Sequence, residues 1–123
     1  MQPPSICVLI SQAPYGIVHA AEGIRHVNGA LANGFDATAL FVDDGVWTVR
    51  KGQRASATGF TSLSDSMAAS LQKAGGPAPR LAVHRPSLEA RGITPEELVP
   101  GVEMVDDAGL ANIIAGTQFL LRY

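Results

Sequence analysis

Apolar residues along this chain follow two rhythms. The first is the short continuous run, bounded by polar or turn residues, that marks a strand covered on both faces. "SICVLIS" (Ser5 to Ser11) is such a run, broken by "APYG". "DATALFVDDGVW" (Asp36 to Trp47) is a second, ended by two aspartates and a glycine. "RLAVH" (Arg80 to His84), "VEMVD" (Val102 to Asp106) and "TQFLLRY" (Thr117 to Tyr123) make five. The second rhythm is helical. Ile17, Ala20, Ile24, Val27 and Leu31 recur at helical spacing, and Gly34 supplies the stop.

The other helices are read from their ends. Ser62 or Ser64 caps "SDSMAASLQKAGG", with Gly75 as the exit. Pro86 suits the first turn of a short helix that closes at Gly92. Thr94, Pro95 and Glu97 form a capping box at a helix start. Asp106 or Asp107 caps "AGLANIIAG". "TVRKGQRASATGFTSL" (Thr48 to Leu63) is polar and without period, and reads as a long loop. Strands alternating with helices predict an α/β fold with one five-stranded parallel sheet and helices on both faces. Right-handed crossovers bring the C-terminal strand ends to one edge, where an α/β protein keeps its site. That edge collects Ser11 to Gly16, Asp43 to Leu63, His84 to Ser87, and Asp106 with Asp107.

Composition narrows the classes. A chain of 123 residues fits a single domain over 1–123, and 46% apolar with 16% charged residues is an ordinary globular mixture. A formal charge of −2 gives no basic excess for nucleic acid. One cysteine excludes an internal disulfide framework and a multi-cysteine zinc site within one chain, and agrees with a cytoplasmic setting. The first apolar run lacks the basic flank and length of a signal peptide, and no segment approaches the ~20 apolar residues of a membrane span.

Candidate chemistry is sparse. His84 and Arg85 end the third strand, where an acid/base or anion contact would sit, although a solvated pair is the plainer reading. Cys7 lies between aliphatic neighbours inside the first strand and reads as buried and inert. His19, Glu22 and His26 share a helix face, but their spacing is not that of a zinc helix, and a solvated or interface stripe fits better. Asp43 and Asp44 lack the glycine-rich phosphate loop that would make them a nucleotide's metal partners; "SQAPYG" is neither G-x-G-x-x-G nor a P-loop. "RKGQR" (Arg50 to Arg54) is a small basic cluster on the long loop. No cofactor or metal is expected.

Taken in order, "SQAPYG", "AAEGIRHVNGALANG", "FVDDGVW" with the following "KGQ", and "LEARGI" resemble the DsrE/DsrF-like sulfur-relay family, in particular its DsrF/TusC-type members. The resemblance implies a flavodoxin-like three-layer fold with strand order 2-1-3-4-5, whose switch point would set the "SQAPYG" and "HRPS" loops on either side of one crevice. It also implies a homo-oligomer, or a hetero-oligomer with DsrE-like and DsrH-like subunits, and a thiol-bearing sulfur-carrier protein as partner. Catalytic members carry sulfur as a cysteine persulfide at the end of the third strand. Counting back from Arg91 and Gly92, His84 stands at that position, and an imidazole forms no persulfide.

Two functional expectations follow. The first is a non-catalytic, DsrF/TusC-like subunit of an oligomeric assembly, with no catalytic residues of its own. The small residues of the first helix (Ala20, Ala21, Gly23, Gly29, Ala30) would permit close approach of a neighbour. The alternative is a small-molecule or anion-binding protein, or an enzyme, with His84, Arg85, Tyr15 and Asp44 lining a crevice at the C-terminal edge of the sheet.

Overall fold

The structure is a computed structural model that describes residues 2–55, 62–71 and 77–123. Its strands are β1 (Ser5–Ile10), β2 (Asp36–Phe41), β3 (Arg80–His84), β4 (Glu103–Val105) and β5 (Phe119–Arg122). Its helices are α1 (His19–Ala32), α2 (Leu63–Leu71), α3 (Arg85–Ala90) and α4 (Asp107–Ala115). All strand pairs are parallel, so the α/β sheet read from the five apolar runs is what the chain forms.

The strand order differs from the expected 2-1-3-4-5. It is β4-β3-β2-β1-β5. Each of the first three connections steps one strand in the same direction. Right-handed crossovers then hold α1, α2 and α3 on one face, while α4 steps back over the sheet and covers the other. Period-two alternation divides the core accordingly. Val8, Ile10, Ala39, Phe41, Leu81 and Val83 pack under α1–α3 with Ile24, Val27, Met67 and Leu88. Cys7, Leu40 and Ala82 point the other way, against Ile113 of α4. The "SQAPYG" and "HRPS" segments therefore do not flank a β1/β3 switch point. β2 lies between their strands, and the segment after β2 separates them.

That segment departs most from the sequence reading. The apolar run to Trp47 is not all strand. β2 ends at Phe41, and Asp43–Val49 wind into a 3-10 helix that starts from a left-handed Asp43 with φ 50°. Val46 and Val49 are buried, so the run continues for the sake of the core, not of the sheet. Gly45 allows the turn: a Cβ there would lie 2.0 Å from the Ile10 carbonyl oxygen. What read as loop from Thr48 thus begins within this 3-10 helix.

Elsewhere the local signals hold, with adjusted bounds. α1 starts at His19, which leaves Ile17 outside the helix and exposed. Ser62 Oγ accepts from Asp65 N–H at 3.4 Å and so caps α2, whereas the exit at Gly75 lies outside the described residues. Glu97 Oε2 accepts from Thr94 N–H at 2.8 Å, completing the capping box over one 3-10 turn, Pro95–Glu97. Asp106, not Asp107, caps α4, accepting from Gly109 N–H at 2.8 Å.

Candidate functional site

At the C-terminal edge, β3 delivers His84 into the start of α3, and β4 beside it delivers Asp107 into the start of α4. His84 and Val105 are register partners, so an aspartate two residues past Val105 comes within reach. His84 Nε2 lies 2.7 Å from Asp107 Oδ1, and Nδ1 lies 2.7 Å from Ser87 Oγ. The imidazole is 16% exposed, so it is a lined wall, not a free surface group. Ser87 is buried, and its Oγ also accepts from the backbone N–H of Asp43 at 3.0 Å. The chain Asp107–His84–Ser87–Asp43 thus ties the ends of β4, β3 and β2 together. A second tie runs alongside. Arg91 Nε donates to Asp44 Oδ1 at 3.0 Å, and its Nη1 donates to the Ser87 carbonyl at 3.1 Å.

The four residues expected to line a crevice are divided between two networks. His84 and Asp44 belong to the one just described, joined through Ser87 and Arg91. Arg85 is exposed at the first position of α3. Tyr15 belongs elsewhere: its hydroxyl donates to Gln53 Oε1 and accepts from Leu63 N–H at 3.1 Å. Gln53 is the hub there. Its amide donates to the carbonyls of Trp47 (2.9 Å), Thr48 (3.1 Å) and Arg50 (3.0 Å), which fastens the segment after β2 to the start of α2. Within "RKGQR", Arg50 pairs with Glu97 at 3.2 Å. Hydrogen bonding to the Thr94 backbone, then to Arg50, holds the Glu97 carboxyl below its usual range.

The α1 histidine stripe does not converge. Glu22 is engaged by Arg25 at 2.6 Å, which lowers its carboxyl's pKa. His26 stacks on Tyr123 with centroids 5.3 Å apart. Among the described residues no three His, Cys, Asp or Glu side chains are placed to hold a metal ion. Cys7 is fully buried in mid-strand, and desolvation pushes its thiol up to about 11. The small residues of α1 serve this chain's own core in part: Ala20 is buried, and Gly23 is packed so closely that a Cβ would stand 2.9 Å from Ile10 Cγ1.

Ser87, Asp107 and Gln53 were not picked out from sequence as site residues. The sequence did place all three on the C-terminal edge, and the Asp106–Asp107 doublet added a signal: one aspartate suffices as a cap, which leaves its neighbour free for another partner.

No helix among the described residues is long and apolar enough to cross a membrane. In its fold the chain is similar to the YchN protein of E. coli, with a TM-score of 0.79 and 20% identity over 98% of this chain and 99% of that one. In sequence it is 36% identical over 89 residues to the intracellular sulfur oxidation protein DsrF of Allochromatium vinosum, a match that takes in 72% of this chain and 62% of DsrF. It is 29% identical over 111 residues to MK0008 of Methanopyrus kandleri, covering 87% of this chain and 84% of that protein. The DsrE/DsrF-like family model matches residues 5–117, nearly the whole chain, and the chain belongs to that family.

Proposed function

We propose that this protein is a non-catalytic, DsrF/TusC-like subunit of an oligomeric sulfur-relay assembly, acting as one domain in the cytoplasm beside DsrE-like and DsrH-like subunits and a thiol-bearing carrier. The observation that carries the reading is the state of the single sulfur nucleophile. Persulfide exchange needs an accessible thiolate. Cys7 is buried between the sheet and α4, and its pKa is raised to about 11. At the end of β3, where the family resemblance puts the relay thiol, stands His84, with both ring nitrogens already bonded. A subunit so built contributes shape and docking surface while a partner supplies the thiol. The sulfur context rests on family membership and on the relative named for intracellular sulfur oxidation.

The test is sulfur uptake. The purified protein is incubated with a radiolabelled persulfide donor, alone and with DsrE-like and DsrH-like subunits. Label is expected on the partner thiol and not on this chain. Cys7-dependent labelling of the native chain overturns the reading. The alternative, a crevice for an anion or small molecule at His84, Arg85, Tyr15 and Asp44, has less support. The bonds of His84 are used internally, and Tyr15 serves a different network.

A further inference from the structure

The two edges of the sheet are built differently. β4 is three residues long, and its Glu103 is paired with Arg80, the short and charged edge that discourages further strand addition. β5 is four residues long and sets one charge, Arg122, beside three apolar residues. Phe119, Leu120 and Leu121 are 52%, 47% and 36% exposed, although the strand is hydrogen-bonded to β1 along its inner side. Phe119 is the register partner of Ile6, so Phe119 and Leu121 lie on the α1 face, while Leu120 and Arg122, opposite Cys7 and Leu9, lie on the α4 face. The Phe35 ring lies 6.4 Å from that of Phe119, yet a third to a half of each apolar residue stays open to solvent. Apolar side chains are thus exposed on both faces of this edge strand, with Arg122 beside Leu120 on the α4 face.

The backbone has a matching vacancy in its hydrogen bonding. Tyr123 N–H donates to the Leu9 carbonyl, and the Tyr123 carbonyl accepts from Ser11 N–H, both at 2.8 Å. Strand groups alternate in direction, so Phe119 and Leu121 also face β1, and the N–H and C=O groups of Leu120 and Arg122 face outward. Among the described residues, β5 has no strand partner but β1.

We propose that the outer edge of β5 pairs with β5 of a second copy of this chain, antiparallel and two-fold, with Leu120 on the axis. The inference deepens the assembly part of the proposed function and rests on it, but not on the fate of sulfur. The register chooses the occupant. In an antiparallel pair, residues directly opposite share a face, so a two-fold register must centre on a residue. Centred on Leu120, that residue meets the second copy's Leu120 as a hydrogen-bonded pair on the α4 face. Phe119 meets the second copy's Leu121 on the α1 face. Arg122 meets the second copy's Gln118, and the two guanidiniums stand at opposite ends of the contact. Centring on Leu121 sets each arginine against a leucine, and centring on Arg122 opposes two cations, which destabilises a cross-strand pair. The strand is complementary to itself in this register, and the ladder rests on the outward groups of the Leu120 pair, because the Gln118 N–H already donates to Ser5 Oγ of its own chain at 3.0 Å.

The test uses the intact chain. Sedimentation at tens of micromolar, an order of magnitude suited to moderate affinities, is expected to show an even-numbered assembly for wild type and smaller species for Leu120→Arg, with circular dichroism unchanged. Leu120→Cys is expected to form a covalent dimer on mild oxidation. Hydrogen-bonded antiparallel pairs hold their Cα atoms about 5.5 Å apart, inside the range of roughly 4.4–6.8 Å that a disulfide spans. Phe119→Cys, two positions out of register with its own copy, is not expected to form one. Association that survives Leu120→Arg, or a covalent dimer from Phe119→Cys but not from Leu120→Cys, overturns the β5 contact and leaves the assembly standing. A wild type that stays monomeric, or that associates only with sister subunits, overturns self-pairing. The persulfide assay is scored separately, so failure there is distinguishable.

Discussion

The imidazole of His84 and the carboxylate of Asp107 meet at 2.7 Å across the β3–β4 boundary, where His84 and Val105 are register partners. With its proton on Nε2, the ring satisfies every group in the chain: Nε2–H donates to Asp107, the Ser87 hydroxyl donates to Nδ1, and the Asp43 N–H donates to the Ser87 oxygen. The last of these secures the left-handed residue that begins the 3-10 helix. In the proposed reading, His84 aligns with the family's relay thiol and acts instead as a clamp on the loops of its own sheet edge.

Replacing it tests both halves of that statement. His84→Ala removes two side-chain hydrogen bonds at a mostly buried position, so it is expected to cost about 1–3 kcal/mol in denaturant unfolding, the range for a buried partner left unpaired. The near-neutral change typical of an exposed site would show that the clamp carries no stability. His84→Cys is expected to react with a thiol reagent much faster than Cys7, because the site is nearer solvent and lies next to the Arg85 cation. Equal rates would separate this position from the family's thiol position.

Gly45 and Gly29 make a contrasting pair. A Cβ on Gly45 would collide with backbone, the carbonyl of Ile10, which cannot yield without moving β1. Gly45→Ala is expected to cost about 4 kcal/mol or more, among the largest single-substitution losses. Gly29 lies in α1 with nothing within 4 Å of its Cβ position. Gly29→Ala is expected to gain up to about 1 kcal/mol from helix propensity. Thermal unfolding of the two variants decides; a destabilised Gly29→Ala would mean that a neighbouring subunit occupies that face.

The sequence carries the five strands and the caps because both are local signals: a run of apolar residues, or a polar residue at a helix start. Where the strand ends is less local. Asp36 to Trp47 stays apolar on either side of Asp43, Asp44 and Gly45, and β2 ends at Phe41, where the left-handed Asp43 and the close approach of Gly45 to Ile10 of another strand turn the chain. Strand order is not local at all. Runs of equal character are compatible with 2-1-3-4-5 or 4-3-2-1-5, and the placement of β5 beside β1 decides. The site follows the same division. His84 was legible as a strand-end residue with Ser87 three positions on, but its partner Asp107 lies on another segment and required the β3–β4 pairing. Cys7 was legible as buried because its flanks are aliphatic. The open edge at β5 was not, because "FLLR" reads as any covered strand.

Thr48 offers a stability gain. Its hydroxyl is fully buried in the 3-10 helix after β2 and has no hydrogen-bond partner among the described residues. A buried hydroxyl without a partner costs about 1–3 kcal/mol, and an apolar group of the same shape avoids that cost. Thr48→Val keeps the volume and is expected to raise the denaturation midpoint without changing the slope of the transition. A lower midpoint would show that the hydroxyl does find a partner in solution.

Cys7 makes stability depend on pH in the alkaline range. Its thiol titrates near 11 in the folded chain, raised from an ordinary value of 9.0, and desolvation is the main cause, opposed in part by the charge of Arg80. Below about pH 9 the thiol is protonated in both folded and unfolded chains, and its contribution to stability is fully present. Between about 9 and 11 the unfolded chain releases the proton while the folded chain keeps it, so rising pH favours unfolding, and the contribution is lost by the time the folded thiol ionises. Two units correspond to a loss on the order of 2 kcal/mol. Tyrosines and lysines titrate in the same range, so the measurement is a difference: unfolding free energies of wild type and Cys7→Ala at pH 8 and pH 11. Cys7→Ala is expected to start lower, because it leaves a small void under α4, and to fall less between the two pH values. Parallel declines would mean that the thiol ionises alike in both states, and so that the α4 face is open enough to let Cys7 take sulfur.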